Sequence, residues 1–101
     1  MLNYLTTEDV VEIHAGLTLM FKDDDPIEPP GVRDENLLGS AISRPATGFA
    51  GQEKYRTIEQ KAGALLHSLA KNHAFHNGNK RTAFMSMLVF MERNGRRLSE
   101  C

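Results

Sequence analysis

The chain has 101 residues, of which 41% are hydrophobic and 25% charged, and its formal net charge is -1. This size predicts a single domain, residues 1–101, with one small core. The near-neutral charge argues against direct nucleic-acid binding, which needs a clustered positive excess, and no apolar run is long enough to span a bilayer.

The first predicted helix begins at residues 6–9, where threonine side chains can cap free amides and acidic residues suit the positive end of the helix dipole. It is expected to end near residues 23–26, because three aspartates and a proline oppose continuation. His14 lies inside this helix, and we interpret it as a partly buried structural residue. The apolar residues that recur at helical spacing are Val10, Ile13, Leu17 and Phe21.

A proline-rich loop, residues 26–33, leads to a short second helix that Asp34 can cap and Pro45 ends. Residues 45–56 are irregular and rich in glycine. They predict either a pair of small strands or a flap, and the segment is too short to decide between them.

Thr57 is expected to cap a third helix that ends near Asn72. A fourth helix begins around Asn79, is nearly all apolar from residue 83 to 91, and stops at residues 94–95. Such a helix is typical of the middle of a bundle. We interpret His67, in the third helix, as a partly buried structural residue, as we do His14. The sequence therefore predicts an all-α fold: a small single-domain helical bundle with a central buried helix and a flap loop.

The segment between the third and fourth helices, residues 73–82, reads His-Ala-Phe-His-Asn-Gly-Asn-Lys-Arg-Thr. The first amides of the fourth helix, near Gly78, Asn79 and Lys80, lack partners within the helix and carry the positive end of its dipole. An anion should therefore bind there, held also by Lys80 and by two parallel hydrogen bonds from Arg81.

His73 is the residue of this segment that exchanges a proton near neutral pH without special tuning. Opposite an anion site, it could take the proton from an attacking hydroxyl. Asn77 could reach a metal ion through its amide oxygen. Together these residues predict the transfer of a phosphate onto a hydroxyl. The plainer alternatives are a surface histidine and a solvated pair of cations at residues 80–81.

This segment closely resembles the signature of the Fic/Doc family, read as His-x-Phe-x-(Asp/Asn)-Gly-Asn-Lys-Arg-Thr, and within it the Doc, or death-on-curing, branch. Residues 41–45, Ala-Ile-Ser-Arg-Pro, resemble the stretch that leads to the family's target-docking flap. That places Arg44, Pro45 and Phe49 in the flap. The resemblance runs from the first helix to Gly95.

The resemblance implies that His73 is the base, that Asn77 is at the metal-binding position and that Arg81 binds phosphate. It also implies that Gly78 and Asn79 form the anion hole. AMP-transferring Fic proteins have glycine at the position of Lys80 and a second arginine at the position of Phe84, whereas Doc-like members share this lysine and lack that arginine.

A Doc-like protein is implied to be a kinase, a phosphotransferase that uses ATP and Mg2+. Its implied target is a hydroxyl of elongation factor Tu, so that translation stops in the cytoplasm. The lone cysteine, Cys101, fits that reducing compartment. The implied partner is a Phd-like antitoxin. Two alternatives stay open: an AMP-transferring Fic-like enzyme, and an antitoxin-binding module with catalysis weakened at Asn77. The sequence stops soon after Gly95, where the family continues, so we expect a truncated form.

Overall fold

The protein folds into four helices, in a computed structural model that describes residues 2–96. A short 3-10 turn and two strands lie between the second and third helices. The helices are α1 (Thr7–Met20), α2 (Glu35–Ser43), α3 (Ile58–Asn72) and α4 (Asn79–Arg93), the turn is Arg44–Ala46, and the strands are β1 (Gly48–Phe49) and β2 (Gln52–Glu53). The predicted all-α fold is confirmed, with a tiny two-stranded hairpin added.

The first three helices begin at the residues that the sequence marks as caps. Thr6 accepts a hydrogen bond from the amide of Asp9 at 3.1 Å, and the Asp9 carboxylate accepts one from the amide of Thr6 at 2.8 Å. Thr57 caps α3 in the same reciprocal way, and the Asp34 side chain caps α2. Each of these helices therefore has its first free amides partly satisfied by side chains.

Helix α4 packs mainly against α3 and, on another side, against α1. The helical period places Thr82 and Ser86 inside, at 1% and 0% exposure, and turns Phe84 outward at 53% exposure. The apolar run is therefore not covered on every side. In residues 2–96, no helix has the length and apolar character that a bilayer crossing requires. The largest apolar core residues are Ile27, Leu38, Leu65, Leu69, Phe75 and Phe90.

The two alternatives for residues 45–56, small strands or a flap, turn out to be compatible. In the hairpin Gly48 lies opposite Glu53 and Phe49 opposite Gln52. Ala50 and Gly51 form the turn with φ of 54° and 80°, the signs that a two-residue turn needs to follow the twist of its strands. The strand residues are all exposed. We refer to the segment that contains the hairpin, residues 44–56, as the flap.

Candidate active site

The loop that joins α3 to α4, residues 73–78, is held in place by the loop that precedes α2. The amide of Arg33 donates to the carbonyl of Ala74 at 2.7 Å, and the amide of His76 donates to the carbonyl of Gly31 at 3.0 Å. These bonds pair backbone groups of both loops, and an unpaired backbone group away from water would cost about as much free energy as a lost hydrogen bond. We call residues 73–78 the motif loop.

His73 is the first residue of the motif loop and ends α3. Its backbone is left-handed, with φ 54° and ψ 48°, and its side chain is exposed. The carbonyl of His73 accepts two hydrogen bonds from the Arg33 guanidinium, at 2.9 Å from Nε and 2.6 Å from Nη2. Arg33 therefore fixes the backbone of the expected base. Sequence analysis did not identify Arg33, since no local pattern links residues 40 positions apart.

Asn79 closes the motif loop with its side chain. Its Nδ2 donates to the carbonyl of Phe75 and its Oδ1 accepts from the amide of Phe75, both at 2.9 Å, and the residue is 9% exposed. The side chain is therefore committed to the fold. What Asn79 can offer a ligand is its backbone N–H, at the start of α4.

Gly78 makes the turn into α4 and cannot be replaced without strain. Its φ is 74°, and a Cβ there would lie 2.8 Å from Cδ1 of the buried Ile27. A glycine also supplies no capping side chain. Unlike α1, α2 and α3, helix α4 has no side-chain cap, and in residues 2–96 the amides of Gly78, Asn79 and Lys80 have no acceptor. These amides are free to bind an anion.

Two cations follow the open amides. Lys80 is exposed, while Arg81 is half-buried: its Nη1 donates to the carbonyl of Asp25 at 2.9 Å, and its guanidinium carbon lies 4.8 Å from the centre of the Phe21 ring. An arginine has five N–H donors, so Arg81 retains donors for a phosphate. Both cations edge an apolar cavity of about 370 Å³, whose other lining residues are Leu17, Met20, Phe21, Phe84 and Met85.

Asn77 is exposed, and its Nδ2 donates to the carbonyl of Glu28. Its Oδ1 is thereby left as the atom that could bind a metal. Among residues 2–96 there is no group of three or more histidine, cysteine or acidic side chains that could hold an ion. Mg2+ usually binds through one or two carboxylates plus substrate phosphates, so a single neutral amide oxygen at Asn77 would leave most of the binding to the phosphates of a nucleotide.

Comparison with known proteins decides the family. The profile of the Fic/DOC family matches residues 4–91. This chain belongs to the Fic/Doc family. It is 46% identical over 68 residues to Toxin Doc of Mycolicibacterium smegmatis, covering 67% of this chain and 52% of that protein. It is 27% identical over 94 residues to Protein kinase doc of Escherichia phage P1, covering 93% of this chain and 70% of that protein.

This Fic/Doc chain thus spans about half the length of Toxin Doc. The names of both relatives support the Doc branch, which confirms the resemblance drawn from the motif. No solved structure matches the chain significantly.

The predicted site residues of this Fic/Doc chain fall into two groups. His73, Asn77 and residues 78–81 lie along the motif loop and the first turn of α4, whereas the flap residues belong to the segment between α2 and α3. No hydrogen bond joins the flap to the motif loop in the part of the chain that the structure describes. Within the flap, Arg44 and Phe49 are exposed, the latter at 88%, while Pro45 is buried.

His14 supports the motif loop from below. It is 3% exposed, and its ring stacks on that of Phe75 with 4.0 Å between centroids. Its Nε2 accepts from the amide of Gly31 at 3.0 Å, so the proton lies on Nδ1, which donates to Oγ1 of Thr82 at 3.0 Å. The interpretation of His14 as structural is confirmed. The interpretation of His67 as partly buried is wrong, because its side chain is exposed and lines an open groove beside α3.

The buried His14 predicts a loss of stability in mild acid. Burial lowers the pKa of His14 below its ordinary value of about 6.5. As the pH falls, the unfolded chain therefore binds a proton before the folded chain does. We expect the free energy of unfolding to be highest above about pH 6.5 and to decrease below it, by at most about 1.4 kcal/mol per pH unit. Urea unfolding measured between about pH 5.5 and 7.5 tests this.

The matched pair for this test is His14→Gln and His67→Gln. The first removes the buried titrating group and should flatten the dependence on pH, whereas the second changes an exposed histidine and should leave it unchanged. An unaltered slope in His14→Gln would contradict the assignment.

Proposed function

We propose that this Fic/Doc chain transfers the γ-phosphoryl group of ATP to a hydroxyl of a target protein, and that it acts in this way as a Doc-like toxin that stops translation. One observation carries the proposal. Helix α4 is the helix whose first amides are left open: it begins at Asn79 after a tight glycine turn, has Lys80 and Arg81 in its first turn, and follows the loop that starts at the exposed His73. Open amides and cations stabilise charge on a transferred phosphoryl group.

Each residue has a defined task in this reaction. His73 accepts the proton of the attacking hydroxyl, whose oxygen then bonds to the γ-phosphorus. The bond from that phosphorus to the bridging oxygen breaks, and ADP leaves. The amides of Gly78 and Asn79 and the guanidinium of Arg81 hold the phosphoryl oxygens while charge moves to the leaving group. A bound Mg2+ would offset phosphate charge, with Asn77 Oδ1 as its protein ligand.

The choice of phosphoryl over AMP transfer is supported by residues 80 and 84. A lysine follows the open amides where an AMP-transferring enzyme would have glycine, and Phe84 presents an apolar ring to the cavity beside Lys80 and Arg81. No second arginine stands at residue 84 to hold a further phosphate group. The name of the phage relative, Protein kinase doc, points in the same direction.

The proposed target is elongation factor Tu, and the proposed partner a Phd-like antitoxin, both in the cytoplasm. The flap is the surface that would meet the target. Phe49 at its tip is 88% exposed and Arg44 is also exposed, so both can contact another protein, whereas the buried Pro45 anchors the flap from beneath. A hairpin edge can add main-chain hydrogen bonds to an extended segment of a target.

The experiment uses ATP labelled either at the γ-phosphate or at the α-phosphate. The protein is incubated with elongation factor Tu and Mg2+, and the label on the target is measured. We expect transfer from γ-labelled ATP alone. Transfer of the α-label would replace the proposal by AMP transfer. Absence of both labels, together with undiminished toxicity of His73→Ala in growing cells, would replace it by an antitoxin-binding module.

A further inference from the structure

A lysine is buried beneath the flap. Lys61, on α3, is 2% exposed, which is unusual because lysine is almost never fully buried without a partner. Its Nζ donates to the carbonyl of Pro45 at 3.2 Å and pairs with the carboxylate of Glu53. It also lies 5.5 Å from the centre of the Tyr4 ring. The ammonium group is thus surrounded by specific acceptors.

The two acceptors belong to opposite arms of the flap. Pro45 lies in the 3-10 turn that leads into β1, and Glu53 is the last residue of β2. Above them, the amide of Lys54 donates to the carbonyl of Thr47 at 2.9 Å and joins the arms to each other. Lys61 is therefore the point at which both arms are tied to α3, the helix that ends at His73.

The charge on Lys61 persists at neutral pH. Burial by itself would lower the pKa of Lys61, but the hydrogen bonds that its ammonium donates to Glu53 and Tyr4 outweigh burial, and the pKa is raised. An ion pair of this kind adds little net stability, since an apolar side chain of similar volume often serves as well in the same place. The charge contributes geometry instead, because the hydrogen bonds from the ammonium hold the Pro45 carbonyl and the Glu53 carboxylate at a fixed distance and orientation.

We propose that Lys61 is a positioning residue that sets the flap against α3 and thereby the approach of the protein substrate to His73. This inference rests on the proposed function, because it takes the flap as the surface that binds the target. The hydrogen bonds and the ion pair of Lys61 are made with Pro45 and Glu53, and none joins it to the motif loop in residues 2–96. Its loss should therefore weaken the use of the protein substrate and spare the use of ATP.

The first test measures the flap directly and needs no catalysis. In Lys61→Met, hydrogen–deuterium exchange of the Lys54 amide should be faster than in the parent protein, because the arms it joins are no longer tied to the helix. The control is Lys71→Met, which removes the same charge from an exposed position of α3 and should leave that exchange unchanged. Equal exchange in Lys61→Met and the parent would overturn the proposal.

The second test measures kinetics with both substrates. For Lys61→Met we expect kcat/KM for the protein substrate to fall between about tenfold and a hundredfold, mainly through KM, with KM for ATP unchanged. Glu53→Gln keeps an acceptor for Nζ but removes the negative charge of that acceptor. Its kcat/KM for the protein substrate should lie between the values of the parent and of Lys61→Met. Thermal unfolding should show little difference among the variants, which separates positioning from loss of fold.

The outcomes distinguish the two proposals. A parent protein that transfers no phosphoryl group overturns the proposed function. An active parent, with kinetic constants for the protein substrate that Lys61→Met leaves unchanged, overturns the role of Lys61 alone. A rise in KM for ATP as large as that for the protein substrate also overturns it, since a tie beneath the flap cannot account for weakened nucleotide binding.

Discussion

Replacing His73 with asparagine should lower the rate of phosphoryl transfer by about 10²- to 10⁴-fold, the usual contribution of a positioned general base. Asparagine is chosen because His73 has a left-handed backbone, with φ 54°, that asparagine tolerates well. The two hydrogen bonds from Arg33 to the residue-73 carbonyl are made by the backbone and should persist. The substitution therefore removes the base and keeps the motif loop.

Transfer of label from γ-labelled ATP to the target measures this effect, and thermal unfolding checks the fold. The matched control is His76→Asn, at an exposed residue of the same loop. The backbone amide of His76, and not its ring, donates a hydrogen bond to Gly31, so the substitution should leave that bond in place. It should retain most of the activity. If His73→Asn keeps the parental rate, the proton leaves the hydroxyl by another route and the assignment of the base is wrong.

Replacing Asn79 with alanine should cost about 2–6 kcal/mol of unfolding free energy, the largest effect on stability that we expect at the site. The amide N–H and the carbonyl of Phe75, a residue 2% exposed, would both lose their partner. A buried polar group without a partner costs about 1–3 kcal/mol, and here there are two. Such a loss is a large fraction of the stability of a small domain.

Urea unfolding at neutral pH measures the loss, and Asn79→Asp refines it. Aspartate can still accept from the Phe75 amide but cannot donate to its carbonyl, and it sets a carboxylate against that carbonyl oxygen. We expect Asn79→Asp to be destabilised as well, while His76→Ala, which removes an exposed ring, should unfold like the parent. A change below about 1 kcal/mol in Asn79→Ala would show that the loop repairs the lost contacts.

Sequence reasoning predicted most of the fold because helix ends are governed by local chemistry. Thr6, Asp34 and Thr57 cap the helices that they were expected to cap, and α3 and α4 begin and end within a residue or two of the expected positions. The open amides at the start of α4 could also be predicted, since the glycine before Asn79 supplies no side chain to cap them.

The supporting contacts of the site could not be predicted in this way. Arg33 meets His73 across 40 positions and His14 meets Thr82 across 68, and no periodic pattern records such pairs. The burial of Lys61 was equally hidden, because a lysine on a helix is normally solvated. Phe84 shows the reverse: composition suggested burial, but α1 and α3 leave its side of α4 uncovered.

The way the motif loop is held also bears on how the candidate site forms during folding. Its contacts come from residues much earlier in the chain: Gly31 and Arg33 form hydrogen bonds with the loop, and the His14 ring stacks on Phe75. Contacts of such long sequence separation cost more loop-closure entropy than the contacts within a helix, and they slow folding. The candidate site is consequently a property of the complete tertiary structure, because no single helix or local turn could hold the motif loop in place.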